Sequence, residues 1–360
     1  MLFSPQVKTR LEDFYNYREE LRALVSGVKD PLTRMIAIKG VRRIGKSSLL
    51  RVGLGLVDRP YVLFDVRSVG DVTIDNVYRV LSAGLEDAMS RLKPLRNTLA
   101  RVEGVEVAGL RVKIRDRKPS VLYEIFKALN EASPAEGLII AIDEAQYLAV
   151  FRGFNRILAH IYDYMDRLKI VVAGSEVGLL DRLLGRRSPD APLYGRPILE
   201  ITMRRLPGHS SIGFLEQGFR ELGLEWSRRH IEEAVDKLDG IPGWLTYYGY
   251  HAYTTGSHQE ALARTIEVGS SIVARELESF LAARLVARTR YLAILRCLKA
   301  TPMSWSMLRR CMEAEVGARI ANPQLYRYLR ELQDYGIVEK DEGRYRLSDP
   351  LLGEALARVR

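Results

Sequence analysis

The sequence predicts an α/β fold in which helices cover both faces of a parallel sheet, followed by a helical domain and a small C-terminal domain. Short apolar runs alternate with longer segments of helical spacing over the first 206 residues. The strand signals then stop, and helices followed by short alternating segments begin near residue 285. We therefore predict three domains, at residues 1–206, 207–284 and 285–360.

Five apolar runs are predicted as the strands of the sheet, and the last of them is shorter than the others. In order they are Met35 to Lys39, Tyr61 to Val66, Leu138 to Ile142, Ile170 to Ala173 and Pro197 to Ile201. An alternating stretch, Val105 to Leu110, predicts an inserted hairpin at about residues 102–118. The cations that follow this stretch are Arg111, Lys113, Arg115, Arg117 and Lys118.

The most specific motif is the pattern G-x-x-x-x-G-K-[ST], here called the phosphate loop (residues 40–47). Its predicted nucleotide contacts are Gly40, Val41, Arg42, Arg43, Ile44, Gly45, Lys46, Ser47 and the following Ser48. The glycines allow a tight turn whose N–H groups point at phosphate oxygens, and the next helix adds the positive end of its dipole. Lys46 would reach the β- and γ-phosphates, and Ser47 would bind Mg²⁺. The motif therefore predicts binding of ATP or ADP with Mg²⁺.

A second motif follows the third apolar run, which ends in Asp143-Glu144. The carboxyl end of a buried parallel strand opens onto the ligand crevice, so Asp143 is predicted to hold Mg²⁺ and Glu144 to deprotonate the attacking water. Read alone, the pair would merely begin a solvated helix. Ser175, at the end of the next strand, would sense the γ-phosphate or cap a helix starting at Glu176, and one hydroxyl could do both.

Several fragments occur together in one order along the chain. They are YNYREEL from Tyr15, GVRRIGKSSLL, IDEAQYL, VAGSEVGLLDRLL, APLYGR from Ala191 and LSDP from Leu347. In these fragments the chain resembles the archaeal ATPase family within the STAND branch of the AAA+ P-loop ATPases. The resemblance covers nearly the whole chain, and it implies an ASCE/AAA+-type sheet domain, a helical lid and a C-terminal winged helix.

The resemblance also implies further site residues. Tyr15 and Arg18 belong to an entry segment that passes close to the adenine. Pro242 lies in a G-x-P turn that packs on the base or ribose, although the same turn also suits a simple helix stop. Arg196 resembles the arginine that answers the γ-phosphate, within its own chain or across a subunit boundary, and its alternative role is a surface ion pair. The predicted catalytic residues are thus Glu144, Lys46, Arg196 and Ser175.

The C-terminal segment predicts a winged helix, with a helix from Asn322 to Tyr335 followed by a hairpin around Gly343. It carries 14 Lys+Arg and 9 Asp+Glu, so half of the chain's net charge of +10 lies there. This charge favours double-stranded DNA as a partner. The predicted contacts are Gln324, Arg327, Lys340, Arg344 and Arg346. In STAND proteins, however, the winged helix often docks on the ATPase core as a switch element.

Composition narrows the remaining possibilities. No apolar run is long enough to span a bilayer, and the first ten residues lack the apolar stretch of a signal peptide. Two cysteines, Cys297 and Cys311, are too few for a disulfide framework, so we expect a reducing cytoplasm and no membrane contact. The five histidines are scattered, which leaves Mg²⁺ as the only expected metal.

Three functions fit these observations. The first is an ATP-hydrolysing molecular switch in which the nucleotide state sets the position of the winged helix. The second is a DNA-binding ATPase of the initiator or transposition-helper kind, whose affinity for duplex DNA would fall with salt. The third is a sensor that holds ADP or ATP without hydrolysing it. A protein partner or self-association remains open for each.

Overall fold

The computed structural model describes residues 1–66, 73–151 and 153–359. In chain order its strands are β1 (Met35–Lys39), β2 (Tyr61–Asp65), β3 (Val105–Ala108), β4 (Arg111–Ile114), β5 (Leu138–Asp143), β6 (Leu168–Gly174), β7 (Leu199–Thr202), β8 (Val338–Asp341) and β9 (Arg344–Leu347). Its helices are α1 (Arg18–Lys29), α2 (Lys46–Gly55), α3 (Ile74–Arg91), α4 (Lys93–Leu99), α5 (Pro119–Ala132), α6 (Phe154–Tyr164), α7 (Val177–Leu183), α8 (Gly208–Glu221), α9 (Arg228–Leu238), α10 (Pro242–Thr255), α11 (His258–Ala282), α12 (Arg288–Leu298), α13 (Trp305–Val316), α14 (Asn322–Asp334) and α15 (Leu352–Ala355).

The central sheet is parallel and has the strand order β2-β5-β6-β1-β7. Every residue of β1, β5 and β6 is buried, because helices cover both faces and leave no polar side to the sheet. The predicted fold class is confirmed, as is the placement of the strand ending at Ala173 beside the strand of Asp143. The sheet order puts β6 between β5 and β1, so the ends of these three strands share one edge.

Two hydrophobic clusters divide the core. One lies on the sheet face covered by α3 to α6. The other begins with Leu2 and α1, includes Ile36 and Ile38 of β1, and continues through α8 to α11 into α12, α14 and α15. The helical lid and the winged-helix domain therefore share a continuous core with one face of the sheet, and they are packed rather than tethered.

The two cysteines overturn an expectation. Cys297 on α12 and Cys311 on α13 form a disulfide, with their Cα atoms 6.0 Å apart. Two cysteines are too few for a disulfide framework, and from this we expected a reducing compartment. The single disulfide contradicts that argument, because helix packing brings together two cysteines that are 14 positions apart. No helix in the described ranges combines the length and apolar composition that crossing a bilayer requires.

Candidate functional site

The phosphate loop joins the end of β1 to the start of α2, as its sequence predicts. A Cβ atom at Gly40 would lie 2.7 Å from the Met203 carbonyl oxygen, so only glycine fits there. Gly45 has φ +102° and caps α2 without a side-chain hydrogen bond, which leaves the first amides of the helix directed at the loop. A helix start of this kind binds anions through its amides and its dipole.

Lys46 lies within this loop and is nearly fully buried. Its ammonium donates hydrogen bonds to the carbonyl oxygens of Gly40 and Val41, each at 2.9 Å. It also lies close enough to Glu144 to lower the pKa of that carboxyl group. The structure therefore brings Lys46 and the end of β5 to the same edge of the sheet.

Glu144 follows β5 in the left-handed backbone region, with φ 53°. Its Oε2 accepts hydrogen bonds from Gln146 Nε2 (2.6 Å), Ser175 Oγ (2.7 Å) and the Ser175 amide (3.1 Å). Burial by itself would raise the pKa of Glu144, but Lys46 and the hydrogen bonds from Gln146 and Ser175 outweigh it and lower this pKa. Glu144 is thus held ionised, as a general base requires.

Asp143 and Ser47 supply the oxygen atoms that suit Mg²⁺. Asp143 is buried at the end of β5, where its Oδ1 accepts the amide of Glu144 at 3.1 Å, and Ser47 lies in the first turn of α2. A carboxylate and a hydroxyl are ligands that Mg²⁺ uses together with water and phosphate oxygens. The described residues contain no cluster of three or more His, Cys, Asp or Glu that could hold a metal. The two side chains fit an ion held mainly by a nucleotide.

A cavity of about 250 Å³ extends from the phosphate loop. Of the predicted nucleotide contacts, its walls include Tyr15, Arg43 to Ser48 and Pro242. Tyr17, in the predicted entry segment, also lines the cavity. The sequence interpretation missed the segment Ser4–Lys8, Phe14, Phe214 and Tyr247, which complete its walls. The amide of Lys8 donates to Ser48 Oγ at 3.0 Å and ties the N-terminal segment to α2. Only the apolar and aromatic character of residues 2–17 could have indicated this wall.

Two predicted site residues lie away from the cavity, and a third, Ser175, lies beside Glu144 as its strand predicts. Arg18 begins α1, is exposed and does not line the cavity. Arg196 precedes β7, whereas the phosphate loop follows β1. Because the two strands are parallel, Arg196 lies at the opposite edge of the sheet from the loop. There it pairs with Asp163 at 2.6 Å. The Ser175 hydroxyl donates a hydrogen bond to Glu144, and the N-cap residue of α7 is Glu176. The expected N-cap role of Ser175 is therefore wrong.

The side chains of Arg42 and Arg43 form ion pairs outside the phosphate loop. Arg43 binds Glu276 of α11 at 2.6 Å and Asp349 of the C-terminal segment at 3.4 Å, and it lies over the Trp244 ring at 4.4 Å. Arg42 binds Glu176 at 2.7 Å and approaches Glu276 at 3.7 Å. These contacts border a second cavity of about 630 Å³ between the three domains. The phosphate loop therefore contacts the lid and the winged-helix domain directly.

The winged-helix domain is docked on the sheet domain. Asp334, at the end of α14, is fully buried and pairs with Arg182 and Arg187. Arg205 adds a 2.8 Å hydrogen bond to the Ser348 carbonyl oxygen, and it also pairs with Glu339 of β8 at 2.8 Å. The C-terminal end of α14 is thus part of an intramolecular contact.

The predicted DNA contacts have mixed surroundings. Arg346 is half-buried, and it pairs with Glu339 at 2.6 Å and with Asp239 of the lid at 3.7 Å. The remaining four lie on the outside of α14 and the hairpin. On α14, Gln324 donates a hydrogen bond to the Tyr328 hydroxyl, and Arg327 lies over the Tyr328 ring. On the hairpin, Lys340 lies over the Tyr345 ring, and Arg344 is exposed.

Comparison with known proteins agrees with this geometry. Residues 14–248 match a model of an ATPase domain found predominantly in Archaea, and residues 285–348 match the C-terminal winged helix-turn-helix domain of MCM proteins. A Walker-type ATPase of Pyrococcus abyssi is 33% identical over 99% of this chain and 100% of its own, with a TM-score of 0.82. No curated protein sequence matches.

Two more distant solved structures also match, with lower similarity. The Aeropyrum pernix ORC1 protein, solved in complex with DNA, is 17% identical over 96% of this chain and 93% of its own, with a TM-score of 0.47. The Thermotoga maritima RuvB branch migration motor is 10% identical over 99% of both chains, with a TM-score of 0.45.

Proposed function

Because this chain belongs to the family of ATPase domains found predominantly in Archaea, we propose that it is an ATP-hydrolysing switch of the STAND type. In this proposal the nucleotide state of the phosphate loop sets the position of the winged-helix domain. One observation carries it: Arg43, within the loop, bonds to the lid at Glu276 and to the C-terminal segment at Asp349. A shift of the loop on nucleotide exchange would change both contacts.

The residues of the site have distinct roles in the proposed hydrolysis. The loop amides and Lys46 bind the β- and γ-phosphates. Ser47 and Asp143 would hold Mg²⁺, which would supply positive charge against the phosphate oxygens. Glu144 orients the attacking water and takes its proton. Ser175 and Gln146 hold the Glu144 carboxylate in place through their hydrogen bonds.

Two earlier expectations enter the proposal in modified form. Arg196 is remote from the phosphate loop of its own chain, so a role for it in hydrolysis requires a second copy of the chain. A cytoplasmic location, where ATP is available, remains part of the proposal, although the Cys297–Cys311 disulfide removes the argument from cysteine content.

Phosphate release and small-angle scattering test the proposal together. Glu144→Gln should lower phosphate release by about 10²-fold or more while nucleotide binding is retained, and Lys46→Ala should weaken binding itself. Glu136→Gln, the same change at an exposed carboxylate, is the matched control. The radius of gyration should differ between the ATP and ADP states.

The outcomes separate the alternatives. Unchanged phosphate release in Glu144→Gln would contradict the assigned base, and the absence of release in the wild type would favour a sensor that only holds ADP or ATP. Identical scattering profiles with ATP, with ADP and without nucleotide would refute the switch.

A further inference from the structure

A strongly basic segment lies in the sheet domain, outside the winged helix. Residues 91–118 contain nine Lys+Arg and three Asp+Glu, a net charge of +6 within 28 residues. The segment comprises the last residue of α3, α4 and the β3–β4 hairpin. A concentration of charge this high on one small module indicates a polyanionic partner.

The hairpin presents three cations on one exposed face. Val112 and Ile114 of β4 are buried, so the alternation of a strand puts Arg111, Lys113 and Arg115 on the opposite, exposed side. We call these three residues the basic hairpin face. Successive cations on this strand are about 6.8 Å apart along its axis. The face is therefore a row of cations rather than a single charge.

This face has a fixed position on the domain. The amide of Val112 donates to Glu86 Oε1 of α3 at 2.8 Å, and the amide of Arg115 donates to the Gly104 carbonyl oxygen at 2.8 Å. The β4 strand packs on α3, and β3 packs on α4. The cations are thus held on a supported surface, and binding does not require an ordering step for the backbone.

Intramolecular ion pairs neutralise only part of the charge. Arg115 pairs with Glu106 at 2.6 Å, Lys118 pairs with Asp116 at 3.0 Å, and Arg117 pairs with Asp75. All of these pairs are exposed, and exposed pairs contribute little free energy in water. Phosphate oxygens could replace the carboxylates at small cost.

We propose that the basic hairpin face binds the sugar-phosphate backbone of duplex nucleic acid. Residues 91–118 contain no Phe, Trp or Tyr, so they lack the stacking platforms with which proteins hold single strands. The turn between the strands exposes one large apolar side chain, Leu110, which is too little to anchor the module in a membrane. This surface is separate from the winged helix and independent of the switch.

Fluorescence anisotropy with a labelled 25-base-pair DNA duplex of mixed sequence tests this inference. The double variant Arg111→Gln, Lys113→Gln should bind about tenfold more weakly at low salt, and the slope of log K against log salt should fall by about 1.8. The matched control is Arg220→Gln, Arg229→Gln at two exposed positions of the helical lid, which removes the same charge. The control should retain the wild-type affinity and salt slope.

The outcomes decide the proposal. Wild-type affinity in the hairpin variant, or equal losses in both double variants, would overturn it, because the second result is a simple effect of net charge. Binding of the wild type to anionic phospholipid vesicles but not to the duplex would also overturn it. Unchanged phosphate release without DNA and an unchanged melting temperature show that the hairpin variant is folded.

Discussion

Asp334 stabilises the docked position of the winged-helix domain, and replacing it by asparagine should increase the population in which this domain is undocked. Asp334 ends α14, is fully buried and pairs with Arg182 of α7 and with Arg187. The variant keeps the size of the side chain and removes its charge. Both arginines would then face a neutral amide across the contact between the winged-helix and sheet domains.

The size of the effect follows from how deeply the charges are buried. Removing one partner of a buried ion pair costs about 3 to 5 kcal/mol. Here the side chains of Arg182 and Arg187 are 54% and 29% exposed, so both stay partly hydrated when Asp334 is lost. We expect a loss of about 2 kcal/mol, which is roughly a 30-fold increase in the undocked population.

Hydrogen exchange of the full chain measures this population. The amides of α7 and α14 should exchange about 30-fold faster in Asp334→Asn, while those of β5 and β6 keep their protection. Asp341→Asn, the same change on the exposed end of β8, is the control and should leave all of these rates unchanged. Equal protection of α14 in the two variants would refute the inference that Asp334 holds the domain in place.

Three further predictions concern the site and the disulfide. Glu144 acts as a base only when it is ionised, at a pH above its pKa. Loss of the Ser175 hydroxyl raises this pKa, so Ser175→Ala should move the acid limb of the pH profile of kcat to higher pH. Reduction of Cys297–Cys311, which closes a loop of about 14 residues, should destabilise the winged-helix domain by about 3 kcal/mol and lower the Tm in calorimetry. Tyr15→Ala should weaken ATP binding about tenfold in titration calorimetry and leave kcat unchanged, because Tyr15 lines the cavity away from the reacting phosphate.

Each of these has a contradicting result. An acid limb at the same pH in Ser175→Ala would show that this hydroxyl does not stabilise the carboxylate. An equal Tm with and without reductant would show that the disulfide adds nothing to stability. A loss of kcat in Tyr15→Ala would mean that the aromatic ring also orders the phosphate end of the site.

Local sequence determined much of this protein. Apolar runs of four to six residues predicted the five strands of the sheet within two residues at each end, because most positions of a strand that helices cover on both faces are apolar. The phosphate loop and the Asp143-Glu144 pair were readable for a related reason. Each has its chemistry in consecutive residues, and the strand before it fixes where those residues lie.

Tertiary structure alone decided which groups meet across the chain. Arg42 and Arg43 belong to the phosphate-loop motif, yet their side chains serve the lid and the winged helix, because α11 and the C-terminal segment pack beside the loop. The local sequence around Arg196 does not show that this residue lies at the far edge of the sheet. The local sequence around Asp334 does not show that this residue is buried against two arginines. Ion pairs such as Arg43–Glu276 and Arg182–Asp334 join residues more than a hundred positions apart. They depend on how the elements dock, and local sequence patterns do not carry that information.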